Sequence, residues 1–226
     1  MGGTTARYRR CRERYRIEPT KGDPFVVNGE HILVLKRTKG TGKPGRDGEI
    51  VELSVRDYLA RSHTFRATHH LYHVPVNFPF RPVSLPPYLL GLWLGDGTAR
   101  EPAITTADAE VVAYLEKVAV LLGVRLTPYH PSRPSQATTY GFAGDNGGPN
   151  WVTLGLRDYG LMPAKFIPYA YKCNDRAIRL ACLAGIMDAD GTPNRCGYSI
   201  VQKSRQLTDD IAYLARSLGF QVTITP

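Results

Sequence analysis

The chain has 226 residues, is 42% hydrophobic and 22% charged, and carries a formal net charge of +9. That length suits one large domain or two small ones, and the composition is that of a globular protein with a sizeable core. There is no apolar run long enough to span a membrane and no apolar stretch behind the basic N-terminus, so no membrane and no secretory signal are expected; an intracellular protein, nuclear or cytoplasmic, is.

The charge is uneven. Residues 1–80 carry 15 Lys+Arg against 8 Asp+Glu, and residues 81–226 carry 14 against 12. The densest run, Arg7-Tyr8-Arg9-Arg10-Cys11-Arg12-Glu13-Arg14-Tyr15-Arg16, reads equally as a solvated tail or as arginines and tyrosines suited to phosphates and bases. Cys11, Cys173, Cys182 and Cys196 lack Cys-x-x-Cys spacing, so neither zinc nor a disulfide framework is indicated. His69, His70 and His73 have no matching cysteines and read as surface or core histidines.

Along the chain, residues 15–80 read as strands and loops. Val26-Val27 and His31–Leu35 are β-rich runs on either side of the turn pair Asn28-Gly29. Residues 38–48 form a basic loop with four glycines, and Ser54 caps a short helix to Leu59. Val74 to Pro87 is proline-punctuated, extended and linker-like. From Pro86 a helix runs to a stop at Gly97. Ile104-Thr105 reads as a strand, Asp108 as the cap of a helix closed by Gly123, and residues 124–129 with 138–142 as a hairpin. Trp151–Leu156 reads as strand or short helix. Asn174 or Asp175 caps a further helix to Asp188, followed by a strand at 198–201, a helix from Thr208 closed by Gly219, and a strand at 221–224.

Two segments of this sequence are copies of one pattern. Leu89-Leu90-Gly91-Leu92-Trp93-Leu94-Gly95-Asp96-Gly97 matches Leu183-Ala184-Gly185-Ile186-Met187-Asp188-Ala189-Asp190-Gly191 at an offset of 94. Glycine within a helix costs roughly 1 kcal/mol relative to alanine, so Gly91 and Gly185 in matching places argue for a packing reason. Small residues four apart (Gly91/Gly95 and Gly185/Ala189) share one helix face and let another backbone come close. If those faces meet, Asp96 and Asp190 emerge together, and two such carboxylates call for a cation; oxygen ligands suit Mg²⁺. A calcium loop is excluded, because no acid occurs in the seven residues after Gly191. The repeat continues: Leu122-Gly123-Val124-Arg125-Leu126-Thr127 echoes Leu218-Gly219-Phe220-Gln221-Val222-Thr223, which argues for a pseudo-twofold domain.

The two segments resemble the LAGLIDADG motifs of homing endonucleases, the first in the variant form found in intein-encoded members, with Leu94 at the place of the first acid. The resemblance implies that Asp96 and Asp190 bind divalent ions (Mg²⁺ or Mn²⁺) that cleave double-stranded DNA. Lys165, in Pro163-Ala164-Lys165-Phe166-Ile167-Pro168, resembles the Lys-x-Ile-Pro block whose lysine serves the active site. A lysine beside metal-bound carboxylates can stabilise phosphate charge. Tyr15–Ile17 and Phe25–Leu35 resemble the intein splicing block that ends in a catalytic histidine; His31 matches it, and Asn28 stands where threonine is usual. Residues 51–55 and 73–76 resemble the bridge from splicing domain to endonuclease.

The expected fold is therefore α+β: a partial, all-β Hint-like region and linker over residues 1–80, then a LAGLIDADG endonuclease domain over 81–226. That domain would have αββαββα-like repeats, the second truncated, and act as a monomer with internal pseudo-twofold symmetry. Arg100, Arg125, Arg195 and Lys203 are candidate DNA contacts, with family strands forming a saddle on the major groove. The chain starts Met1-Gly2-Gly3 and ends Thr225-Pro226, without the Cys or Ser and the His-Asn pair of a splicing intein, so as written it is not expected to splice. Seven residues follow Gly219, whereas the first repeat continues for about 50 after Gly123. Two other readings stand beside the nuclease: a non-cleaving nucleic-acid binder, and a fragment of a self-splicing intein.

Overall fold

The computed structural model describes residues 13–19, 24–38, 47–130, 137–144, 148, 150–195 and 197–225. Cys11, Cys196, most of the basic run at 7–16 and most of the loop at 38–48 lie outside the described residues. The fold is α+β, with small antiparallel sheets and eight helices among the described residues. It divides into two compact units, Met1–Val74 with Gln221–Thr225, and Pro75–Phe220.

In the first unit β1 (Arg14–Ile17) pairs with β2 (Phe25–Asn28), Tyr15 opposite Val27. A second sheet has β3 (Ile32–Arg37) between β4 (Ile50–Ser54) and β5 (His69–Leu71). Asn28-Gly29 is a turn, with the Asn28 Oδ1 accepting from the Glu30 amide at 3.1 Å. It closes no hairpin, however: it passes the chain from β2 to a strand of the other sheet. Period-two alternation sends Leu33 and Leu35 inward to meet Leu53 and Val55, while Ile32 and Val34 face out. Two short helices follow β4, the first where Ser54 marks one and the second where none was expected. The α1 helix (Val55–Ala60) is capped by Ser54, whose Oγ accepts from the Asp57 amide at 3.1 Å. The α2 helix (His63–Thr68) is capped in the same way by Ser62. Of the three histidines, His69 is buried and stacked on Phe65, while His70 and His73 are exposed.

The second unit is built around α3 (Pro87–Asp96) and α7 (Arg176–Asp190). Leu89, Leu90, Leu92, Trp93 and Leu94 of α3 are all buried, and Cys182, Leu183 and Ile186 of α7 join them. A helix apolar on every side belongs in the middle of a core. After α3 come β6 (Ala103–Thr106), α4 (Ala109–Leu121), β7 (Arg125–Tyr129) and β8 (Thr138–Ala143). They form an antiparallel sheet of order β6-β8-β7. Asp108 caps α4 through the Glu110 amide at 2.7 Å, and Gly123 ends it with φ at +62°. Residues 151–156 settle as helix: α5 (Trp151–Asp158) starts at the buried Asn150, whose Oδ1 accepts from the Thr153 amide at 2.9 Å. The short α6 (Tyr169–Lys172) precedes α7, whose cap is Asp175. Beyond α7, β9 (Thr192–Asn194) and β10 (Gly197–Ser199) make a two-stranded hairpin, followed by α8 (Arg205–Ser217) and Gly219 at φ +92°. Residues 221–224, expected as a strand, have extended-chain residue types but no ladder. The echo segment β7 is a strand because β8 returns beside it, and no described strand does this for 221–224.

The proline-rich stretch after Val74 is not a free linker. Its Val76 amide donates to the Ser217 carbonyl (2.9 Å), its Arg81 amide to the Asn174 Oδ1 (2.9 Å), and its Leu85 amide to the Tyr171 hydroxyl (3.1 Å). Arg179, with no exposed surface, completes this seam. Its Nε donates to the Asn174 carbonyl at 2.8 Å, one terminal nitrogen to the Ser217 carbonyl and hydroxyl at 2.7 Å each, and the other to the Val76 carbonyl at 2.5 Å. The guanidinium therefore takes up the Ser217 carbonyl at the C-terminal, negative end of α8 together with the Asn174 and Val76 carbonyls, and lies over Phe78. Arg179→Met would orphan several buried acceptors. It is expected to cost about 3 kcal/mol or more in urea unfolding, and a loss below about 1 kcal/mol would deny Arg179 this role.

Candidate active site

The site follows from how closely α3 and α7 approach. A Cβ on Gly91 would strike the Cys182 carbonyl oxygen and lie 2.9 Å from both the Gly185 Cα and the Ile186 nitrogen. A Cβ on Gly185 would strike the Tyr88 carbonyl oxygen and lie 2.8 Å from the Leu92 nitrogen and 3.0 Å from the Gly91 Cα. Each contact is the other shifted by the same 94 positions, so the two helices run parallel with matched registers. One turn on, Gly95 faces Ala189.

Asp96 and Asp190 are the last residues of these helices and emerge at the same end. Gly97 and Gly191 then leave each helix in extended conformation, φ −76° in both, while their amides still bond to the Trp93 and Met187 carbonyls at 2.9 and 2.8 Å. Glycine is required by space here rather than by a left-handed turn: a Cβ on Gly97 would sit 2.5 Å from the Trp93 ring, and one on Gly191 2.9 Å from the Met187 methyl.

Lys165 reaches the same place from the loop before α6. Its Nζ donates to the Leu94 and Gly95 carbonyls, at 3.1 and 3.0 Å, and lies 5.4 Å from the Trp93 ring centroid. It thus caps the negative end of α3. Burial pulls the Lys165 ammonium below the usual lysine range, against the opposing pull of the Asp190 and Asp96 charges. Burial raises the Asp96 carboxyl, and the Asp190 charge raises it further, with Lys165 in opposition. The three residues form one electrostatic cluster.

The two acids have different neighbours. Asp190 accepts a hydrogen bond from the Gln202 amide, just beyond β10. Gln202 was not legible in the sequence, since no motif spacing connects it with Asp190. Leu94 is fully buried, whereas Asp188, its counterpart in the second motif, is exposed and accepts from the Tyr88 hydroxyl at 2.6 Å. Among the described residues no group of three or more His, Cys, Asp or Glu side chains converges. Two carboxylates are nonetheless the usual protein share at a Mg²⁺ ion, which keeps waters and takes phosphate oxygens for the rest, so the donor set fits.

Arg100, Arg125, Arg195 and Lys203 are all exposed. Arg125 opens β7, and the register puts it on the same sheet face as Thr127, Tyr129, Thr105 and Thr139, the last two joined by their hydroxyls at 2.9 Å. Ile104 and Phe142, on the opposite face, are buried. Arg195 is at the tip of the β9–β10 hairpin, whose described residues are exposed throughout. His31 belongs to the other unit. It is exposed beside the Asn28-Gly29 turn, its ring edge-on to Phe25 at 6.3 Å, and its carbonyl accepts from the Val55 amide at 3.0 Å.

Two curated proteins are similar to this chain. Replicative DNA helicase DnaB of Mycobacterium intracellulare is 30% identical over 149 residues, covering 65% of this chain and 21% of that protein. Homothallic switching endonuclease of Saccharomyces cerevisiae is 29% identical over 162 residues, covering 61% of this chain and 28% of that protein. The chain thus spans between a fifth and a third of the curated relatives it matches. No protein-family model matches it. No helix among the described residues is long and apolar enough to cross a membrane.

The raised Asp96 carboxyl has a consequence for stability. A folded-state value above the unfolded one means that the folded chain holds this proton more tightly. Stability is therefore lost as pH rises from the ordinary carboxylate value through the raised one. Asp96→Asn removes that loss. In EDTA the variant is expected to melt above the parent at pH 7, with the gap closing below about pH 4. Equal melting temperatures at both pH values would show that Asp96 carries no such strain.

Proposed function

We propose that this chain is a site-specific endonuclease of the LAGLIDADG homing type, hydrolysing phosphodiester bonds in double-stranded DNA with Mg²⁺ or Mn²⁺ at Asp96 and Asp190. The observation that carries the reading is the matched pair of glycine-faced helices, each ending in a carboxylate, with a lysine capping the first of them. The yeast relative named as an endonuclease supports it. In this reading the second unit is the endonuclease domain, a monomer with internal pseudo-twofold symmetry, and the first unit is a remnant of a Hint-like splicing region in which His31 is a vestige.

Held by Asp96 and Asp190, the divalent ions would supply an activated water and neutralise the developing phosphate charge. The chain's own residues do the rest. Asp96 and Asp190 fix where the ions would sit, at the end of the seam. The Lys165 ammonium adds positive charge where the phosphorane-like charge grows. Gln202 orients Asp190. The exposed face of β6-β8-β7, with three threonines, Tyr129 and Arg125, offers donors and acceptors to base edges, and Arg100, Arg195 and Lys203 offer charge to phosphates.

A second reading, nucleic-acid binding without cleavage, is favoured by one observation. The sheet after α3 has three strands, whereas the hairpin after α7 has two, both exposed. One assay separates the two. Supercoiled DNA bearing the uninterrupted host site is incubated with Mg²⁺ and with parent, Asp96→Asn or Asp190→Asn protein. Metal-dependent nicking that falls about 10²-fold or more in both variants is the expected result. Metal-independent binding with no nicking by a cooperatively folded parent would overturn the nuclease in favour of the binder.

A further inference from the structure

Lys165 lies in a loop without regular structure, yet its ammonium is set on two particular carbonyls. Holding a lysine side chain in one arrangement costs about 2 kcal/mol of rotamer freedom, so something must fix the loop beneath it. One anchor is Leu161, fully buried, whose amide donates to the Leu156 carbonyl at 2.9 Å. The other is Ile167, also fully buried, two residues after Lys165. Its amide donates to the Asp210 Oδ2 at 2.9 Å.

Asp210 is an unusual residue to find there. It is on α8, 3% exposed, and its carboxylate takes three donors: the Ile167 amide, the Lys172 ammonium at 2.5 Å and the Gln206 amide at 3.1 Å. Lys172 ends α6, the element that follows the loop. A buried carboxylate with an ammonium and two amide donors is fully satisfied, and the geometry is correspondingly stiff. The same side chain therefore grips the loop directly, through Ile167, and grips the helix after it, through Lys172.

We propose that Asp210 is the positioning residue for Lys165: by holding the Ile167 amide and the Lys172 ammonium, it sets the 161–168 loop so that the Lys165 ammonium reaches the C-terminal carbonyls of α3 beside Asp96. The bearing of this on catalysis rests on the endonuclease reading. The placement itself does not, and it can be measured apart from cleavage. It also ties the two repeats together, since α8 follows the second motif while the carbonyls that Lys165 takes belong to the first.

The test is acetylation of the full chain by N-hydroxysuccinimidyl acetate, read by peptide mass spectrometry as the rate at Lys165 relative to the exposed Lys203. In the parent, Lys165 is expected to be protected. Asp210→Asn is expected to raise its relative rate at least about threefold, and Asp210→Ala, which removes every acceptor, at least about tenfold. Leu214→Ala, which removes a buried side chain of the same helix but none of the hydrogen-bond partners of Asp210, separates positioning from plain loss of stability and is expected to leave Lys165 protected. An unchanged Lys165 rate in folded Asp210→Asn overturns the proposal, as does an equal rise in Leu214→Ala. If Asp210→Ala does not melt cooperatively, Asp210→Asn decides alone. In steady-state cleavage Asp210→Asn should lower kcat with little change in KM. If the parent cuts no DNA while the labelling pattern holds, the endonuclease reading fails and the positioning role stands.

Discussion

The backbone-to-backbone approach of α3 and α7 at Gly91 and Gly185 sets the position of everything around it. Neither position has room for a Cβ, so neither helix can slide or rotate without a clash. A seam fixed in register also fixes what lies at its end, and each helix ends in an aspartate. The packing and the chemistry are thus one constraint. The leucines and Trp93 that bury α3 on all sides supply the hydrophobic drive, and the glycines turn that drive into a defined placement of two carboxylates.

That placement is electrostatically adverse. The C-terminal ends of two parallel helices each carry partial negative charge, and each adds a full carboxylate. Lys165 on the α3 carbonyls and Gln202 on Asp190 relieve part of this, and Asp96 still has a raised carboxyl. Such local conflict with the rules that stabilise helix ends is what functional sites exhibit. Elsewhere the same unit treats charge in the opposite way. Arg179 is buried with carbonyls on every side, and Asp210 with three donors, so each polar group there is satisfied.

Much of this was legible in the sequence, and the division follows the range of the signal. The motif helices, the caps of α4 and α7 at Asp108 and Asp175, the β7–β8 hairpin and the glycine stops at 123 and 219 are written in residues a few positions apart. The α2 helix has six residues, too few for a hydrophobic period to register, although Ser62 marks its start. Residues 221–224 have strand-forming types, but a strand is made by its neighbour and not by propensity alone. The stretch after Val74 reads as a linker because what binds it, Asn174 and Arg179, lies 93 and 103 positions away. Gln202 and Asp210 were hidden for the same reason: a polar residue within a helix or beside a strand carries no mark of the partner that the fold brings to it.

The two halves of the site are alike in backbone and unlike in side chains. The carbonyls just before Asp96 accept from a lysine, while Asp190 itself accepts from a glutamine. Leu94 is buried where Asp188 is exposed and bonded to Tyr88. Sequence repetition accounts for the likeness, since the glycine contacts demand the same residues twice. The differences arise because the loop carrying Lys165 occurs once, between the two motifs, and approaches the seam from the α3 side only. A site made by repeating one motif around a single loop has equal backbones and unequal acids. The Lys165 ammonium is hydrogen-bonded on the α3 side, yet its charge acts on Asp190 as well as Asp96, so one loop serves both acids of the seam.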